Sequence, residues 1–133
     1  MGELFSEPWM QALQKKWNAD PKIVDPLSKA DFSARIAYGF KDEDKPRGVL
    51  VIQGGKVIEA GNYVDGPLDW DLRATPERWA TWIREGFGLT KLGPAVATGA
   101  LQFASGNYRQ MIRNPSLSHP FLHHFELMSE LGF

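Results

Sequence analysis

The chain of 133 residues contains no cysteine. Disulfides, thiolate metal centres and cysteine nucleophiles are thereby excluded, and nothing marks the redox compartment. No apolar run approaches the roughly 18 residues of a membrane span. The start, Met1-Gly2-Glu3-Leu4-Phe5-Ser6-Glu7-Pro8, lacks the basic stretch and the apolar run of about 7–15 residues that a secretory signal needs. Met1-Gly2 with Ser6 meets only the loosest form of a myristoylation signal and reads as an ordinary beginning. An excess of one charge is missing too: 15 Lys and Arg against 16 Asp and Glu leave a formal charge of −1. No overall field therefore draws the protein to nucleic acid. Repeats and low-complexity tracts are absent. A soluble, cytoplasmic protein without a nucleic-acid partner is expected.

The 43% apolar and 23% charged residues are ordinary for a globular chain, and the length suits one domain spanning 1–133. Trp9, Met10, Leu13 and Trp17 recur at helical spacing, predicting an amphipathic helix near 7–19 with Ser6 as its cap and Asp20-Pro21 as its stop. Pro21 to Lys29, with two prolines, reads as a linker-like turn region. Phe32, Ala34, Ile36, Tyr38 and Phe40 then alternate with Asp31, Ser33, Arg35, Ala37 and Gly39, predicting a strand with one apolar face. The charged run from Lys41 to Pro46 is a solvated turn. Residues 48–53 and 56–60 flank Gly54-Gly55, a two-residue hairpin turn, so three antiparallel strands follow one another. Leu68, Trp70 and Leu72 alternate with Asp69, Asp71 and Arg73 in a fourth strand.

Thr75-Pro76-Glu77 is a helix start: a capping hydroxyl, proline at the first helical position, and an acid favoured by the dipole. Trp79, Trp82 and Ile83 form its buried stripe as far as Gly86. Residues 91–98 read as a short apolar helix, 99–105 as a fifth strand, and Asn107 with Gln110 as a capping pair opening a helix that stops at Asn114-Pro115. Leu117, Phe121, Phe125 and Met128 step by about a helical turn along a C-terminal helix.

On these residues the segment Leu68 to Asn114 resembles the lipid-transfer domain of the sterol carrier protein 2 family. The points of likeness are the step Leu72-Arg73-Ala74-Thr75, the bulky helix closing on Gly86, the short helix ending at Ala97, the strand Gly99-Ala100-Leu101-Gln102-Phe103, and Ser105-Gly106-Asn107 opening a helix with Met111. The N-terminal helix and three-strand meander also fall where that family has them. The resemblance implies an α+β domain: a five-stranded, mainly antiparallel twisted sheet with helices on one face and a hydrophobic tunnel between them for fatty acyl chains, sterols or similar molecules. Two departures stand out. The chain ends Leu131-Gly132-Phe133 instead of in a Ser-Lys-Leu-like tripeptide, so peroxisomal import is not supported. The helix after Asn114 is longer and more aromatic than the resemblance requires, and would serve as a lid or fill the tunnel.

The expected function is non-enzymatic carriage of a lipid or other hydrophobic small molecule, with no metal and no cofactor. Candidate wall residues are Trp79, Trp82, Ile83 and Phe87 on one helix and its exit, Leu101, Phe103 and Met111 beyond it, and Phe121, Phe125 and Met128 on the last helix. Close packing of the same side chains as core is the plain alternative. Met111 and Met128 suit walls that adapt to different guests. His119 and His123 share a helix face, but two imidazoles without a further acid on that face do not make a metal site, so all three histidines read as a solvated face. Asp69 and Asp71 read as surface charges, and Gly54-Gly55-Lys56 lacks the remainder of a phosphate loop. Between Glu85 and Glu126 no acid occurs, whereas Lys91, Arg109 and Arg113 do, a mildly basic surface suited to anionic head groups or a transient landing on a membrane. The rival readings are a small α+β cone enzyme using Asp31, Asp69 or Asp71 as a buried base, and an accessory domain holding a partner protein. The oligomeric state is open, a dimer included.

Overall fold

The structure is a computed structural model that describes residues 3–87 and 89–133; Met1-Gly2, considered above for lipidation, lies outside them. Trp9, Met10, Leu13 and Trp17 are all buried on one side of α1 (Glu7–Ala19). Ser6 stands at its N-cap position, but the hydroxyl caps nothing and is buried without a partner.

The expected turn region is a helix, α2 (Pro21–Lys29). Asp20 ends α1 and caps α2, accepting a hydrogen bond from the Lys22 N–H at 2.9 Å. Pro21 sits at the helix start, where an N–H is not needed, and Pro26 is carried inside because Ile23, Val24 and Leu27 bury one face.

The sheet contains β1 (Ala34–Phe40), β2 (Gly48–Gln53), β3 (Lys56–Asn62), β4 (Trp70–Ala74) and β5 (Gln102–Ser105), in the order β3-β2-β1-β4-β5. β1, β2 and β3 form the expected antiparallel meander. Gly54 and Gly55 turn its hairpin with φ of +55° and +85°, the left-handed values that such turns require. A Cβ on Gly55 would also stand 2.5 Å from the Ser28 nitrogen. β4 lies parallel to β1, whereas β5 is antiparallel to β4. The sheet is thus mixed but mostly antiparallel.

The remaining helices are α3 (Pro76–Glu85), α4 (Leu89–Thr98), α5 (Tyr108–Arg113) and α6 (Pro115–Leu131). Side-chain caps begin three of them: Thr75 receives the Arg78 N–H, Asn107 that of Gln110, and Asn114 that of Ser116. Ile36, Tyr38, Leu50, Ile52 and Leu72 supply the sheet side of the core, and α1, α3 and α6 pack over it. The Trp17 and Trp79 indole N–H groups donate to the Gly55 and Gly39 carbonyls at 2.9 Å each.

The opposite face of β1 and β4 holds a second difference from expectation. Asp69 is exposed, but Asp71 is buried. Its carboxylate takes two hydrogen bonds from the Arg73 guanidinium, at 2.6 and 3.0 Å. Alanine and glycine at the register partners of these residues, Ala37 and Gly39, leave room for the pair. Alternation placed both charges correctly on the face away from the helices; that loops cover this face was not visible in the alternation.

Candidate functional site

The apolar space between sheet and helices is where a guest would have to sit. Nine of the ten expected wall residues are buried and Phe103 is half-buried. Six of their rings form a chain of contacts from α3 through α6 to β5. Trp79 meets Trp82 at 5.5 Å, Trp82 stacks on Phe87 at 4.3 Å, and Phe87 meets Phe125 at 4.8 Å. Phe125 then meets Phe121 at 5.0 Å and Phe121 meets Phe103 at 6.3 Å. Such edge and stacked pairs contribute about 0.5–1.5 kcal/mol each beyond their burial. In this conformation the rings fill the space they line.

The unfilled part of the interior lies further along the sheet, toward the start of β1. There a void of about 10 Å³ is lined by Trp17, Leu27, Phe32, Ile36, Trp70, Leu117 and Phe121, room for one water at most. Of the ten expected residues only Phe121 reaches it. Directly outside lies an open groove of about 350 Å³ between the starts of β1 and β4 and the helices α5 and α6. Phe32, Trp70 and Leu117 line both spaces and form the partition between them. Phe32 and Trp70 lie 5.6 Å apart, and Trp70 meets Phe121 edge-on at 5.3 Å. Met111 joins the groove wall. Trp17, Phe32 and Trp70 carried a sequence signal, each being an aromatic at an inward position of its element. Nothing in the pattern said that they meet.

One polar pair crosses the interior. His124 is fully buried, which corrects its reading as part of a solvated face: it follows Phe121 by three residues and so shares the apolar side of α6. Its Nδ1–H donates to the Phe121 carbonyl. Nε2 is left as the acceptor, and the Tyr38 hydroxyl donates to it at 2.9 Å. Burial pushes the imidazole down to about 4, against the raising effect of the Phe121 carbonyl, so the ring is neutral and takes this tautomer. Burial alone drives the Tyr38 hydroxyl upward.

His119 is exposed as expected, whereas His123 is half-buried between two carboxylates. Its Nε2 lies 2.7 Å from Asp20 and its Nδ1 2.9 Å from Glu126. Burial would raise the Asp20 carboxyl, but the hydrogen bonds from His123 and from the Lys22 N–H outweigh it and hold the group below its usual range. The contact ties α6 to the junction of α1 and α2. Among the described residues no three His, Asp or Glu are placed to hold a metal ion. Of the carboxylates named for a cone-type enzyme, Asp31 and Asp69 are exposed and Asp71 is paired with Arg73.

No family model matches the chain, and no curated protein is detectably similar to it in sequence. Its fold is similar to that in the crystal structure of sterol carrier protein 2, at 18% identity and a TM-score of 0.75 over 96% of this chain and 98% of that one. The solution structure of a conserved hypothetical protein from Thermus Thermophilus is similar at 18% identity and a TM-score of 0.68, covering 98% of this chain and 90% of that one. The UbiJ-SCP2 ubiquinone synthesis protein is similar at 13% identity and a TM-score of 0.60, covering 91% and 88%. The chain is a sterol carrier protein 2-like domain by fold, and among its described residues no helix is long and apolar enough to cross a membrane.

Proposed function

We propose that this domain binds a lipid or similarly apolar molecule between its sheet and its helical layer, and hands it to or from a membrane. The observation that carries the reading is the partition of Phe32, Trp70 and Leu117, which separates an open groove from an apolar void inside a sterol carrier protein 2-like fold. Ligand pockets occupy about 300–1,000 Å³. The groove alone has that size, and displacing the partition would join it to the interior. The ten ring and aliphatic residues named from the sequence then serve as the wall that rearranges around the guest, Met111 and Met128 being the most adaptable.

Energetics favour this without any fixed charge to hold the ligand. Each buried methylene contributes about 0.8 kcal/mol, so a chain of about a dozen carbons supplies on the order of 10 kcal/mol before the costs of association. The cost of parting the partition is met from the same source. Arg109 and Arg113 are exposed on α5, next in sequence to the groove residues Gln110 and Asn114, and give a landing face for an anionic bilayer. No cofactor and no catalytic step enter this reading.

Lipid extraction and mass spectrometry of protein purified from cells, paired with displacement of a fluorescent fatty acid, test it. Bound lipid at a fixed ratio and saturable displacement are expected. Empty protein that displaces no probe would overturn the proposal.

A further inference from the structure

We infer that the groove between the starts of β1 and β4 and the helices α5 and α6 is the mouth of the site, and that it selects lipids with an uncharged, hydroxyl-bearing head over anionic ones. This rests on the lipid-binding reading and adds the place and class of recognition. The floor of the groove is apolar, made by Phe32, Trp70 and Leu117, whereas its rim is polar, made by Asp69, Asn107, Gln110 and Asn114. An apolar chain passing the floor leaves its head among those four side chains.

The rim groups are already partly committed, and what remains free defines the ligand. One Asp69 oxygen accepts the Arg35 N–H at 2.8 Å, leaving the other as an acceptor. Asn107 and Asn114 use their side-chain oxygens to cap α5 and α6, at 3.1 Å each, so that each retains its NH₂ donors. Trp9, Trp17 and Trp79 give their indole N–H groups to backbone carbonyls; among the described residues Trp70 does not, and it stands in the groove wall. One carboxylate acceptor beside several neutral donors matches a hydroxyl, which donates to Asp69 and accepts from an amide.

A carboxylate or phosphate head would meet the charge of Asp69 instead. No Lys, Arg or His lines the groove. The cations adjoining its lining in sequence, Arg35, Arg109 and Arg113, are not among the residues that line it, and Arg35 directs its guanidinium to the carbonyls of Pro67 and Asp65. A like charge brought against the Asp69 carboxylate is repelled, so discrimination of about tenfold or more is expected. Arg109 and Arg113 on α5 thus attract the anionic membrane, and the mouth passes the neutral lipid.

The experiment is competition of hexadecanol and hexadecanoate at pH 7.4 for the protein loaded with pyrene-tagged hexadecanol, in the native chain and in Asp69→Asn. Asparagine keeps an oxygen for the Arg35 N–H, so the variant retains the local fold. Hexadecanol is expected to compete about tenfold or more better, and the substitution to bring the two within about twofold. Equal competition by both lipids, unchanged by Asp69→Asn, overturns the inference while leaving the lipid-binding reading standing. Failure of the pyrene-tagged alcohol to bind at all overturns both. Placement of the mouth is tested by Gln110→Cys, the only thiol in such a chain, coupled to a bulky maleimide. Release of the probe is expected to slow severalfold relative to the same label at Lys45→Cys, and equal release would place the opening elsewhere.

Discussion

Tyr38 and His124 make the interior sensitive to acid. His124 falls from an ordinary 6.5 to about 4 in the folded chain, so between those values the unfolded chain binds a proton that the folded one refuses. Stability from this group is complete above about pH 6.5 and declines as pH falls toward 4, by a limiting amount on the order of 3 kcal/mol. Asp20, held below its ordinary 3.8, adds a loss in the same direction only at still lower pH. Urea midpoints between pH 4 and 7 should therefore drop with acid in the native chain. In a Tyr38→Phe/His124→Leu double variant they should stay nearly flat, because both polar partners are removed together. Tyr38→Phe alone leaves a buried nitrogen unpaired and should cost about 1–3 kcal/mol. The apolar face of Tyr38 was legible; that of His124 was not, since all three histidines read as a solvated face. Their meeting was not, since 86 positions separate them and only the packing of α6 on β1 joins them.

The elements whose borders are set by local chemistry were those the sequence described best. The glycine hairpin, the threonine and asparagine caps and the stop at Gly86 depend on neighbours a few residues away, and all stand where expected. α2 was hidden because two prolines in nine residues imitate a loop; its existence depends on the Asp20 cap and on burial of Ile23, Val24 and Leu27. Asp20→Ala removes both that cap and the His123 contact and should cost about 1–2 kcal/mol or more in thermal unfolding, whereas Asp20→Asn, which can still cap, should lose less. The parallel pairing of β4 with β1 was likewise invisible, because alternation reports a strand's faces and not its neighbours. At the mouth, Gly106 has a φ of +104°, and a Cβ there would come within 2.5 Å of the Trp70 ring. Gly106→Ala should destabilise the protein by roughly 1–3 kcal/mol and displace the Trp70 indole, readable as a change in its fluorescence.

Across the whole molecule charge is segregated along the chain: all 16 acids lie outside residues 86–125, where Lys91, Arg109 and Arg113 lie. Each basic residue near an anionic bilayer contributes about 1 kcal/mol. An Arg109→Glu/Arg113→Glu variant should therefore transfer a bound lipid to phosphatidylserine vesicles at least severalfold more slowly, with an unchanged rate to uncharged vesicles. The fold class was readable through the family resemblance that the order of elements and the apolar and glycine positions carry. The candidate site was readable only in part, since the ten residues chosen for bulk fill the centre of the core. The partition at Phe32, Trp70 and Leu117 arises where three separate elements begin together.

The proposed entry of a lipid requires that partition to part, and nuclear magnetic resonance observes it directly. The five tryptophans give distinct indole N–H signals, and hexadecanol can be titrated against all of them at once. The signals of Trp70, Phe32 and Leu117 are expected to shift together and saturate at one ligand per chain, while Trp9, bonded to the Gly132 carbonyl, holds still. Shifts that never saturate, or a Trp70 signal unmoved by an excess of the lipid, would contradict binding through this mouth.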